Sequence, residues 1–312
     1  MNEFLRPWES SELYGHEEAE QALLAAFRQG RLPHAWLIGG PPGIGKSTLA
    51  FRFARYLLAG SGDAQASLLA MEAADSLAIS PDHPTFRRVA AEGHADLLAI
   101  RRQADPKSGR MPKDLPVEAI RRIGPFLSLT AAEGGWRVVV VEDAHTLNRS
   151  GANALLKILE EPPEQSVIIL VADNPGAMLP TIRSRCRSLL LDPLPDGIVA
   201  DFLSSRLPAD RAGEAATLAR LADGSIGRAA MLVRTDALDT YRGLLALLAQ
   251  LPNLDWQAVH RFGDGLAPVA NEQAYRQTTE LLTWWLGRLV RSLARNELPT
   301  PIIEEEATLI QR

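Results

Sequence analysis

Cysteine is almost missing from this chain: among 312 residues there is one, Cys186. A single thiol excludes an internal disulfide and any zinc site built from several cysteines. His83 and His94 stand too far apart for a finger-like pair, so no zinc is expected. Long apolar runs are missing too; none approaches the roughly 20 residues of a membrane helix. The N-terminus, Met1-Asn2-Glu3-Phe4, has neither the basic nor the apolar region of a secretory signal. Nor is there a basic excess, since 33 Lys and Arg face 38 Asp and Glu, for a net charge of −5. A protein that grips DNA by itself ordinarily carries the opposite sign. If DNA is involved, partners supply much of the grip. Local basic clusters at Arg101-Arg102, Lys107 to Lys113, and Arg183, Arg185 and Arg187 are read first as solvated surface. With 46% hydrophobic and 23% charged residues, the chain has the make-up of a soluble cytoplasmic protein with no membrane partner. Its length allows two or three domains.

What is present begins with Gly39-Gly40-Pro41-Pro42-Gly43-Ile44-Gly45-Lys46-Ser47-Thr48. Residues 40 to 47 fit the phosphate-loop pattern of a Gly, four residues, then Gly-Lys-Ser. Glycines let backbone N–H groups turn inward around phosphate oxygens. Lys46 brings a point charge to the outer phosphates, and Ser47 offers a hydroxyl to magnesium. The following helix directs its positive end at the same anion. Ala35 to Ile38 reads as a short buried strand and Leu49 to Leu58 as a helix, which is the setting the motif needs. Gly40, Pro41, Pro42, Gly43, Ile44, Gly45, Lys46, Ser47 and Thr48 are therefore the candidate nucleotide-binding residues, with ATP or ADP and Mg as the cofactors.

Elsewhere the chain alternates strands and helices. Glu17 to Arg28 is a helix with Ala19, Leu23, Ala26 and Phe27 on one face. The Ala-rich stretch up to residue 95 reads as helical, ended by Pro81 and Pro84. Asp96 to Ile100 is a second strand, and Pro116 opens a helix with Ile120, Ile123, Phe126 and Leu127 inward. Arg137 to Val141 is a fully buried strand of the kind parallel sheets use, and it ends in Glu142-Asp143. Acids at the carboxyl end of such a strand lie where open α/β sheets hold ligands. Glu142 is the candidate magnesium ligand with Ser47, and Asp143 the candidate polariser of water. Asn153 to Pro163 is a proline-ended helix with Leu155, Leu156 and Leu159 inward. Val167 to Val171 is another buried strand, followed by Asn174, assigned to the nucleotide. Leu189 to Leu191 closes the sheet. The reading is an α/β fold with a parallel sheet between helices. Beyond Pro195 strands cease: 196 to 235 reads as three short helices, and the remainder is helical. Its strongest segment, Glu272 to Asn296, carries a wide stripe of Leu281, Leu282, Trp285, Leu286, Leu289, Val290 and Leu293. Core burial and an oligomer interface both fit that stripe. The chain stops at Arg312 inside a helical pattern, so the natural protein is expected to continue.

Leu32-Pro33-His34-Ala35, the helix from Asn153 to Pro163, and Ser184-Arg185-Cys186 resemble the clamp-loader branch of the AAA+ ATPases. The similarity covers most of residues 1 to 230. It implies an AAA+ nucleotide-binding domain at 1–193, a small helical lid at 194–235 and a helical collar for oligomerisation at 236–312. It also implies a place in the pentameric machine of bacterial DNA polymerase III that loads a ring-shaped sliding clamp onto primed DNA. The partners would be the motor gamma/tau and delta subunits, the clamp and the DNA. Within that branch the chain looks like the fixed arm, or stator, in which the Arg185 finger reaches a neighbour's ATP. Three departures bear on activity. The phosphate loop is intact, though some stators have lost it. The acids are Glu142-Asp143, where motors carry Asp then Glu, which makes Asp143 a weak or vestigial catalytic group. Gly227 stands where motors have a sensing arginine, and the adjacent Arg228 points elsewhere on a helix. Binding with little hydrolysis is the expectation, with an autonomous motor subunit as the alternative. A nucleotide kinase on the same loop would need neither Ser-Arg-Cys nor a helical C-terminal third. The zinc module common in the branch is absent.

Overall fold

Three uninterrupted apolar runs form the middle of a parallel sheet because both of its faces are covered. In the computed structural model, which describes residues 4–30, 32–60, 75–105, 110–266 and 272–311, the chain divides into two units, Glu3–Leu194 and Pro195–Arg312. The first unit opens with α1 (Glu17–Arg28), β1 (Ala35–Gly39), α2 (Lys46–Ala59), α3 (Pro84–Ala90) and β2 (Leu97–Ile100). It continues with α4 (Val117–Arg121), α5 (Ile123–Ser128), β3 (Arg137–Val141) and α6 (Arg149–Glu160). β4 (Ser166–Ala172), α7 (Pro180–Arg183) and β5 (Arg187–Leu190) complete it. All strand pairs are parallel, in the order β2-β3-β4-β1-β5.

Alternation along each strand builds two cores from one run. Trp36, Ile38, Val138, Val140, Val167 and Ile169 meet Leu23 of α1 and Leu49, Phe53 and Leu57 of α2. Leu37, Val139, Val141, Ile168 and Leu170 meet Ile120, Ile123, Leu127, Leu155 and Leu159 on the other face. The register pairs Gly39 with Ala172, so the loop after β1 and the residues after β4 leave the sheet side by side.

Local expectations needed correction in three places, and a fourth lies beyond the described residues. Pro84 opens α3 as its first residue, and the His83 side chain caps it by accepting from the Thr85 N–H; a missing N–H costs nothing in a first turn. Residues 61–74, part of the Ala-rich stretch, lie outside the described residues. The helix after Pro116 is divided at Arg122, where Pro125 has no N–H to offer the Arg121 carbonyl. β5 covers Arg187–Leu190, two residues earlier at its start than the apolar residues suggested.

The second unit holds α8 (Asp196–Ser204), α9 (Ala215–Ala222), α10 (Ile226–Arg234), α11 (Ala237–Leu248), α12 (Trp256–Leu266), α13 (Glu272–Ala294) and α14 (Glu304–Ile310). The wide stripe on α13 is used unevenly: Leu281 and Trp285 are buried, while Leu286, Val290 and Leu293 are 47%, 64% and 67% exposed. α14 is anchored through Glu306, fully buried, whose carboxylate accepts from the Tyr241 hydroxyl, the Arg288 guanidinium at 3.0 Å and the Ile302 N–H.

Candidate functional site

The loop between β1 and α2 is shaped by backbone that only glycine adopts cheaply. Gly40 has φ +145°, and a Cβ there would stand 2.3 Å from the Leu191 carbonyl oxygen. Gly45 has φ +112° just before the first turn of α2, with the His16 ring 3.6 Å from where its Cβ would be. His16 donates from Nε2 to the Ile44 carbonyl at 2.7 Å and so ties the segment before α1 to the loop. Pro41, Pro42 and Gly43 form its exposed crest, and Ile44 is buried beneath. The cradle fits a phosphate group: glycine backbone at its rim, the start of a 14-residue helix at its base, and no side chain that the glycines could carry without clash at Gly40.

Lys46, 3% exposed at its side chain, forms an ion pair with Asp173 at 2.8 Å and also donates from Nζ to the Pro41 carbonyl. Ser47 stands close enough to Glu142 to favour its charged form. Burial pushes the Glu142 carboxyl above the ordinary glutamate range; the Ser47 hydroxyl and the Arg101 guanidinium pull the other way, and burial prevails. Arg101 has an Nη1 atom 4.0 Å from Glu142 Oε2, pairs with Glu92, and stacks over the Trp8 ring at 3.8 Å. Asp143 stands in a left-handed conformation, φ +53°, and accepts from Arg102 Nε at 2.9 Å. Arg101 and Arg102, a surface cluster by sequence, are thus engaged inside the site.

Thr48 follows in the first turn of α2, half-buried, while Asn174 is exposed one residue beyond Asp173. Lys46, Ser47, Glu142 and Asp143 come together at the carboxyl ends of β1 and β3. Arg185 stands elsewhere on the unit, donating to Glu160 at 2.9 Å and to the Thr181 carbonyl at 3.0 Å. Its local acid is Glu160 on α6, not the sequence neighbour Asp192. Cys186 beside it is half-buried, and burial pushes its thiol up to about 11. Arg228 lies with its guanidinium 5.0 Å from the Trp284 ring centre, away from solvent, which lowers its pKa.

Sequence reasoning missed Asp173, His145 and His16. Asp173 carried the signal used for Glu142, an acid directly after a buried strand; the two histidines had none. Asp143, His145 and Asp173 offer ligand atoms within 4.8 Å of one another. The Nδ1 lone pair of His145 already accepts the Asp173 N–H at 3.2 Å, which favours a hydrogen-bonded brace over metal ligation there.

Residues 15–195 match the protein family described as DNA polymerase III, delta subunit. The chain is 32% identical over 272 residues to DNA polymerase III subunit delta' of Escherichia coli (strain K12), covering 87% of this chain and 74% of that protein. It is 33% identical over 222 residues to the protein of the same name from Pseudomonas aeruginosa, covering 70% of this chain and 62% of that one. To DNA polymerase III subunit gamma/tau of Mycobacterium tuberculosis (strain ATCC 25618 / H37Rv) it is 33% identical over 180 residues, covering 58% of this chain and 28% of the other.

Proposed function

The chain belongs to the DNA polymerase III delta subunit family, and on that footing we propose that it works as a stator of the delta prime kind in a bacterial clamp loader. In this reading it binds ATP or ADP with magnesium and turns it over slowly or not at all. It presents Arg185 to the nucleotide of a neighbouring subunit and helps place a sliding clamp on primed DNA in the cytoplasm. Residues 1–193 form the AAA+ nucleotide domain, 194–235 the lid and 236–312 the oligomerising collar. The motor gamma/tau and delta subunits are its partners. No helix among the described residues is long and apolar enough to cross a membrane.

The observation that carries the reading is the pairing of an intact phosphate loop with acids already engaged by arginines. Backbone N–H groups of residues 40 to 48 and the Lys46 ammonium would hold phosphates, with Ser47 and Glu142 as ligands for magnesium and Asn174 beside the outer phosphates. Magnesium, when bound, neutralises phosphate charge. Against the motor alternative stand the Arg102–Asp143 bond and the engagement of Arg228 by Trp284, in a chain with glycine at 227.

Two measurements test this. Calorimetry with Mg-ATP should show binding by the wild type that weakens by about 10-fold or more in Lys46→Ala, as expected for losing a charge-assisted contact. The chain should also co-purify with candidate motor and delta subunits. Equal heats for both proteins, or no association with those subunits, would refute the nucleotide and the assembly parts respectively.

A further inference from the structure

We propose that Asp173 is a resident competitor for the phosphate site and sets how tightly this chain holds nucleotide. The inference rests on the reading that residues 40 to 48 bind nucleotide, and it adds a residue that no phosphate-loop pattern contains. Lys46 is the one cation that the loop aims at a phosphate, and its ammonium is occupied by the Asp173 carboxylate at 2.8 Å.

The fold brings the two side chains together. Gly39 is registered with Ala172 in the β1–β4 pair, and the Gly40 N–H donates to the Ala172 carbonyl at 3.3 Å. The first side chain past β4 therefore emerges beside the base of the loop. His145 braces it there, since its Nδ1 accepts the Asp173 N–H at 3.2 Å. His145 itself follows β3, so strands on both sides of the position hold the acid in place.

The charge distribution gives the contact its effect. Lys46 is nearly inaccessible, and a buried ammonium needs a partner. Asp173 is 37% exposed at its side chain, so its own carboxylate retains water when the pair opens. The remaining cations around the loop are engaged as well: Arg102 by Asp143 and Arg101 by Glu92. An arriving phosphate thus meets a neutralised lysine and must separate it from an acid that stays close by. Juxtaposed like charges at an interface change affinity by about 10- to 100-fold. Because Lys46 addresses the outer phosphates, the penalty falls on ATP and ADP and spares AMP. A neutral residue of the same shape at 173 would leave Lys46 its bond to the Pro41 carbonyl but without the Asp173 countercharge.

The experiment is calorimetric titration of the full chain with Mg-ATP, Mg-ADP and AMP. It compares wild type, Asp173→Asn, Asp173→Glu, Lys46→Ala and the Lys46→Ala/Asp173→Asn pair, with Asp173→Ser as a second neutral variant and circular dichroism to establish folding. The expected result is about 10-fold or more tightening for ATP in both neutral variants. Asp173→Glu should show none, AMP should be unaffected, and the gain should vanish when Lys46 is absent. Wild-type binding that depends on Lys46 but is unchanged by Asp173→Asn overturns the role of Asp173 and leaves the nucleotide reading standing. A gain that persists without Lys46 overturns it too. Absence of binding by every variant overturns the nucleotide reading, and the role of Asp173 with it.

Discussion

Arg102 donates from Nε to Asp143 Oδ2 over 2.9 Å, so the acid proposed to polarise a water molecule already holds a guanidinium. Asp143 is also one methylene shorter than the glutamate of the motor subunits, and a small misplacement of a catalytic group costs on the order of 100-fold. The isolated chain should hydrolyse ATP far below about 1 per second. Asp143→Glu combined with Arg102→Ala should raise single-turnover hydrolysis by about 10-fold or more over either single change. Identical rates in all four proteins would show that this bond does not restrain the site.

Glu142 offers a test against pH. Its pKa rises on folding, chiefly through burial, so above its ordinary value near 4.5 the native state holds the proton more tightly than the unfolded chain. Stability therefore falls as pH rises through the window between the two pKa values, and the loss persists above it. Glu142→Gln should melt higher than wild type at pH 7 to 8, and the gap should close as pH is lowered towards 4.5. A variant that melts lower at pH 8 contradicts the assignment.

Arg185 and Glu160 are 37% and 51% exposed at their side chains, and such a pair stabilises by roughly 0–1 kcal/mol. Arg185→Ala should leave melting almost unchanged. In a reconstituted complex it should lower clamp- and DNA-stimulated ATP hydrolysis, because an arginine finger is worth roughly 10³ to 10⁵ at the site it serves. The loss is diluted across several sites. Arg185→Lys should restore little, since a point charge lacks the planar fork. Full activity in an intact complex would confine Arg185 to its bond with Glu160.

Glu306 carries a stability prediction for the second unit. It is fully buried and binds Tyr241, Arg288 and the Ile302 N–H. Removing one partner of a buried ion pair costs about 3–5 kcal/mol. Glu306→Ala should shift urea unfolding of the C-terminal helices to clearly lower denaturant, while Glu306→Gln, which keeps one acceptor, should lose less. No shift in either would mean that this network contributes nothing net.

The sheet was legible because burial on both faces leaves continuous β-branched runs, and β3 fell on the residues that read as a strand, Arg137 to Val141. β5 was less so: it is an edge strand, Leu190 is exposed, and its apolar signal is correspondingly thin. Pro84 misled because proline ends a helix from inside and starts one from its first turn, and the residue alone does not say which. The α13 stripe left core burial and an interface both open because periodicity reports a face, not what covers it. In the site, the loop was readable from spacing. The bonds of Asp173 to Lys46 and of Arg102 to Asp143 were not, because each joins residues brought together only by strand register.

β1 lies between β4 and β5, and that order imposes a timetable on synthesis. Both hydrogen-bonding neighbours of Trp36, Leu37 and Ile38 belong to chain that begins at Ser166 and ends at Leu190. At roughly 5–20 residues per second, the strand leaves the ribosome about 6–30 s before either partner exists. During that interval it is an apolar ribbon with two open edges, the kind of segment that associates with other chains unless something shields it. A nascent chain halted before residue 166 would already contain the complete phosphate loop and still lack both strands that flank it.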